Sequence, residues 1–175
     1  MARITYVTTS DADPRVRPLF EEYEERTGGV PNLVRALARD PDTLHALLPL
    51  LRRVYGNSRM APDLKALVML HVSRINECGY CGRDHLPTLL QLGYSPDDLE
   101  ALGEALPTEE MFGAIERAVI LFADEVTRYG AASKRTCEKV REHVDEPDLV
   151  ELSVLVGTCN LITRFVRTLE IEPDA

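Results

Sequence analysis

From Asp13 to Phe165 the apolar residues recur three and four positions apart, and beyond the first few residues no stretch alternates apolar with polar. A strand buries every second side chain and a helix every third or fourth, so this spacing argues for helices and against a sheet. Punctuation supports the same reading. Val16, Leu19, Phe20 and Tyr23 form a stripe that stops at Gly28-Gly29, and Leu33, Val34 and Leu37 after Pro31 form a second, shorter one. Asp40-Pro41 suits an N-cap and first helical residue for a third helix, with Leu44, Leu47, Leu48 and Leu51 inside and Gly56 as terminator. Ser58 and Pro62 lead into Leu64–Ile75, which leaves so few surface positions that the helix should be buried. Asn76 is a good N-cap for the next helix, running through Leu86, Leu89 and Leu90 to Gly93. Ser95-Pro96 opens a short helix, Pro107 a long one ending at Tyr129-Gly130, Ser133 another, and Glu146-Pro147 the last. The expected fold is all-α, an antiparallel helical bundle of about seven to nine helices in a single domain over residues 1–175, with a frayed tail from Glu172.

The chain's 175 residues suffice to bury a core without disulfides or metals as staples. A net charge of −9 repels phosphate backbones and anionic lipids, and 6% aromatics with no tryptophan offer little for stacking on bases. Neither nucleic acid nor membrane is therefore expected as a partner. The apolar run from Leu149 to Ile162 is interrupted by Glu151, Ser153, Thr158 and Asn160 and falls short of a span. With no apolar leader at the N-terminus and only four cysteines, the expected location is cytoplasmic.

The chemistry concentrates in Asn76-Glu77-Cys78-Gly79-Tyr80-Cys81-Gly82-Arg83-Asp84-His85. On a helix, spacings of three and four put Cys78, Cys81 and His85 on one stripe, with Cβ atoms about 5–6 Å apart. A helix start and a nearby histidine both favour thiolate, the reactive form of cysteine. Such a pair can cycle between dithiol and disulfide. The same residues permit a metal site with His71 as a fourth ligand, or plain burial; Cys137 and Cys159 are expected to be buried or partly exposed bystanders. His45 and His143 suit solvated helix surfaces, as Glu77 and Asp84 suit solvated acids near a helix start.

Leu67–Val72, the Cys78-x-x-Cys81-x-x-x-His85 core, Gly29–Leu33, Pro41–Leu44 and Glu151 through Asn160 together resemble the carboxymuconolactone decarboxylase superfamily, in its alkyl hydroperoxidase D-like branch. The resemblance implies an all-helical homo-oligomer and a peroxidase or disulfide reductase without a cofactor. It also implies roles: Cys81 attacks a hydroperoxide, Cys78 resolves the product to a disulfide, His85 relays a proton, and an external dithiol restores the pair. One position departs from the pattern. The family's relay glutamate, twelve residues before the first cysteine, is Ala66 here, which leaves His71, Glu77 or Asp84 as possible auxiliaries. Two alternatives accompany the peroxidase reading: a lactone decarboxylase, and a non-catalytic oligomer whose thiols sense oxidation or bind metal.

Overall fold

The computed structural model describes every residue except Asn57, Asp84 and Ala175. Among the described residues there is no strand. The helical segments are α1 (Arg17–Thr27), α2 (Asn32–Leu37), α3 (Pro41–Tyr55), α4 (Pro62–Ile75), α5 (Gly79–Gly82), α6 (His85–Gln91), α7 (Pro96–Ala101), α8 (Ala114–Tyr129), α9 (Lys134–Arg141) and α10 (Glu146–Leu169), α5 being a single turn. The all-α expectation holds. Several boundaries have visible causes. Gly28 ends α1 in the left-handed region at φ 78°, its N–H donating to Glu24 O, and Ser133 Oγ caps α9 by accepting from the Thr136 N–H.

Two boundaries differ from expectation. The helix expected from Pro107 begins at Ala114, because Glu116 reaches back to accept the Gly113 N–H at 2.5 Å and fixes the first turn there. The single helix expected from Asn76 to Gly93 is two, α5 and α6, and Asn76 ends α4 instead of starting the next helix.

The chain divides into two compact units, residues 1–53 with 165–175, and residues 54–164. In the first, Val16, Phe20, Val34, Leu37 and Leu44 are buried, and Arg35 ties α2 to the opening segment by accepting the Val7 N–H and donating to the Val7 carbonyl. The C-terminal tail is not frayed through Asp174. Asn32 donates its N–H to Asp174 Oδ1 at 2.6 Å and its side-chain amide to the carbonyls of Glu172 and Pro173, while the Glu172 N–H donates to Tyr6 Oη.

The second unit is built around α4. Every residue from Leu64 to Ser73 is buried, as the sequence predicts. Leu64, Val68, Met69 and Val72 join a cluster with Val119, Phe122, Leu152, Leu155 and Val156, and Ala66, Leu67 and Leu70 join another with Leu89, Leu99, Leu102, Phe112 and Ile120. The charge this burial traps is answered: Lys65 donates to the carbonyls of Val54 and Gly56. α10 is long and apolar enough by length and composition to cross a membrane, contrary to the reading of its sequence. Half of its most apolar stretch is buried inside the protein, which accounts for its composition.

Candidate functional site

The site begins where α4 stops. The Glu77 N–H donates to Arg74 O at 2.9 Å and the Cys78 N–H to Ser73 O at 2.7 Å, while Glu77 takes φ 50°. These two bonds around one left-handed residue make a Schellman turn, a motif that usually places glycine where Glu77 stands. Cys78 then serves a second helix. Its carbonyl accepts the N–H groups of Cys81 and Gly82 at 3.1 and 3.2 Å, which starts α5. Cys78 is thus held by the end of one helix and the start of another. A side chain at Glu77 carries a steric penalty that glycine avoids, so Glu77→Gly is expected to raise stability by roughly 0.5–1 kcal/mol. Urea unfolding measures it, and a lower midpoint would contradict the strain.

Cys78 and Cys81 come together as a disulfide, with Cα atoms 5.4 Å apart. Cys78 is only 4% exposed, whereas Cys81 is half-buried. His85 is partly buried at the start of α6, a separate helical segment from the α5 turn that holds Cys81. Asp84 lies outside the described residues. Glu77 is exposed beside the pair.

An open cavity of about 610 Å³ borders Cys78, with Leu70, Leu86 and Leu102 as apolar walls and Gly79 and Gly82 beside the cysteine along one side. His71 supports the far wall. It is fully buried, accepts the Gly103 N–H on Nδ1 at 3.0 Å and donates from Nε2 to Asp124 Oδ1 at 3.1 Å. A backbone N–H can only donate, so Nδ1 carries no proton and His71 is the Nε2–H tautomer. Arg128 closes the loop by donating from Nε to Asp124 at 2.9 Å and from Nη2 to Gly103 O at 2.6 Å. Gly103 is therefore gripped at both its N–H and its C=O. Arg74 adds bonds to the carbonyls of Leu99, Glu100 and Leu102. Burial pushes the His71 pKa down, against the pull of Asp124 and with help from Arg128 and Arg74.

Both ring nitrogens of His71, which the sequence offered as a fourth ligand or auxiliary, are engaged here by Gly103 and Asp124. Among the described residues no group of three or more His, Cys, Asp or Glu is placed to hold a metal. Ala66 sits in the apolar cluster with Leu67 and Leu70, where a lone carboxylate would lack a partner. Asn160 does more than satisfy local backbone. Its Oδ1 accepts from Asn76 at 3.0 Å and Arg164 at 2.8 Å, and its amide donates to Thr127 and to Val156 O, which ties the α4 terminus to α8 and α10. Cys159 is buried, with its thiol pKa pushed up to about 12 by desolvation, as suits an inert core residue.

Arg74, Gly103, Asp124 and Arg128 escaped the reading of the sequence. The one signal present was Asp124 on an otherwise apolar helix face with Arg128 four residues on.

The all-helical fold is AhpD-like. Residues 41–125 match the sequence profile of the Carboxymuconolactone decarboxylase family, which supports that superfamily for the chain. Solved structures with the same fold include a peroxidase-related protein from Ralstonia eutropha JMP134, described as an alkylhydroperoxidase AhpD core, at 20% identity and TM-score 0.82 over 99% of this chain and 92% of that one. A peroxidase-related protein from Silicibacter sp. TM1040 matches at 24% identity and TM-score 0.79, again over 99% and 92%. The debrominase Bmp8, as a cysteine-to-alanine variant with 2,3,4-tribromopyrrole, matches at 20% identity and TM-score 0.77 over 98% and 91%. No curated protein matches the sequence.

Proposed function

We propose that the protein is a thiol-dependent peroxidase in which Cys78 and Cys81 cycle between dithiol and disulfide while an organic hydroperoxide is reduced to its alcohol. The observation that carries this reading is the Cys78–Cys81 pair itself, held within one helical turn with Cys78 bordering a cavity that has apolar walls. One sulfur takes the terminal oxygen of the hydroperoxide and becomes a sulfenic acid; the other displaces water from it and closes the disulfide. An external dithiol then returns two electrons and two protons by exchange. His85, at the start of α6, shuttles a proton in this scheme, and no cofactor is needed.

A reductive dehalogenation by the same pair is the second reading, favoured by the likeness to Bmp8. It differs only in the electrophile offered to the thiolate. A lactone decarboxylase is less well supported: that chemistry needs a proton donor and acceptor facing a carbon acid, and His71 is sealed on both nitrogens. The deciding experiment is turnover of cumene hydroperoxide with a dithiol, by wild type and by Cys78→Ser/Cys81→Ser. Loss of turnover in the double variant is the expected result. Equal turnover in both would end the thiol reading, and wild-type activity on a bromopyrrole alone would replace the hydroperoxide by an organic bromide as the electron acceptor.

The reading extends to assembly and location. Val150, Val154 and Leu161 stand exposed along one side of α10, an apolar stripe suited to a second copy of the chain. Sedimentation showing a monomer at micromolar concentration would remove the homo-oligomer. A pair that depends on a dithiol donor belongs in a reducing compartment, the cytoplasm.

A further inference from the structure

We infer that the two sulfurs serve different reactants: Cys78 meets the oxidant inside the cavity, which takes an uncharged, largely apolar molecule, and Cys81 meets the dithiol from outside. This rests on the thiol-pair reading above and reverses the order of attack that the family resemblance implies.

Three observations lead to it. Cys78 borders the cavity and is otherwise enclosed, at 4% exposure, while Cys81 is half-buried and does not border the cavity at all. A volume of about 610 Å³ between Leu70, Leu86 and Leu102 suits a small organic molecule. The rim carries three carboxylates, Glu77, Glu100 and Glu104, against the guanidiniums of Arg74 and Arg83, and Arg74 is already committed to the carbonyls of Leu99, Glu100 and Leu102. A carboxylate-bearing substrate would meet a net negative mouth.

The steps balance. The Cys78 thiolate attacks the terminal oxygen of ROOH, the O–O bond breaks, and the alkoxide takes a proton to leave as ROH, with Cys78 oxidised to sulfenic acid. The Cys81 thiolate attacks the Cys78 sulfur and hydroxide leaves as water once protonated. The external dithiol then attacks the Cys81 sulfur, releasing the Cys78 thiolate. The dithiol's second sulfur resolves the mixed disulfide, leaving the Cys81 thiolate and an oxidised donor.

The test treats reduced Cys78→Ser and Cys81→Ser with stoichiometric cumene hydroperoxide in the presence of dimedone, with mass spectrometry locating the adduct. Cys81→Ser should carry it on Cys78, and Cys78→Ser should react roughly tenfold or more slowly. A hydroperoxide with a carboxylate on the same skeleton should also react several-fold more slowly, by a factor that shrinks with added salt. Rapid adduct formation on Cys81 in Cys78→Ser would overturn the inference. If wild type consumes no hydroperoxide, the proposed function falls, but the two faces can still be read. In reduced wild type, N-phenylmaleimide should label Cys78 first and oxidised glutathione should react first at Cys81; the opposite order would refute the assignment without any turnover.

Discussion

Gly103→Ala is expected to lower stability by about 2–5 kcal/mol, the sum of a left-handed backbone penalty and an overpacking penalty. Gly103 has φ +88°, and a Cβ built there would lie 2.4 Å from Arg74 Cβ and 3.2 Å from the Ile75 nitrogen. Those atoms belong to the last turn of α4 and cannot swing aside as a side-chain tip would. Relief would require the segment after α7 to move away, which stretches the bonds from Gly103 to His71 and Arg128 and shifts Leu102 in the cavity wall. Gly93→Ala is the matched control. It has a similar φ of +91° and nothing within 4 Å of its added Cβ, so it should cost only the backbone part, about 1–2 kcal/mol. Urea unfolding of both variants makes the comparison, and equal losses would mean that Arg74 does not confine Gly103.

Acidification is expected to destabilise the protein from about pH 6.5 downward through His71. The ordinary value of the group is 6.5, and burial lowers it in the folded state. The sign comes from proton counting. Between the folded and unfolded pKa values the unfolded chain binds more protons, so stability rises with pH, is complete above the unfolded value, and falls as pH drops below it. One such group contributes at most about 1.4 kcal/mol per pH unit. Protonation also forces a proton onto Nδ1, where the Gly103 N–H already points, so the fall in stability should coincide with loosening of the cavity wall. His71→Asn offers an acceptor and a donor without a charge change, and its stability should vary less between pH 6.5 and 5 than that of wild type. A wild-type midpoint that stays level across that range would show that His71 does not titrate on unfolding.

The sequence made α4 legible because its apolar residues leave almost no polar side, and only a central position satisfies such a helix. The thiol pair was legible for the opposite reason, as two reactive residues framed by glycines and charges that make poor core. The break after Ile75 was not. A Schellman turn is normally announced by glycine, and here Glu77 holds the left-handed position, so Asn76 read as a beginning when it is an end. The docked tail and the ring around Gly103 depend on partners far apart in the chain, Asn32 with Asp174 and His71 with Asp124, which no local pattern joins. His71 shows the general difficulty. A histidine near a thiol motif suggests chemistry, and only the fold shows both its nitrogens engaged by Gly103 and Asp124.

The disulfide links residues only three positions apart. In the chain-entropy view a loop that short constrains the unfolded ensemble by about 2 kcal/mol, against nearly 5 for a loop of about a hundred residues. Oxidation and reduction therefore shift the folding equilibrium by less than half of what a long-range bridge would. The scaffold beneath does not run through the bond: α4 and its Asn76–Asn160 anchor are held by packing and amide hydrogen bonds in which neither the Cys78 nor the Cys81 sulfur takes part. Each round of electron transfer then opens or closes a small ring beside a frame whose own packing does not run through it.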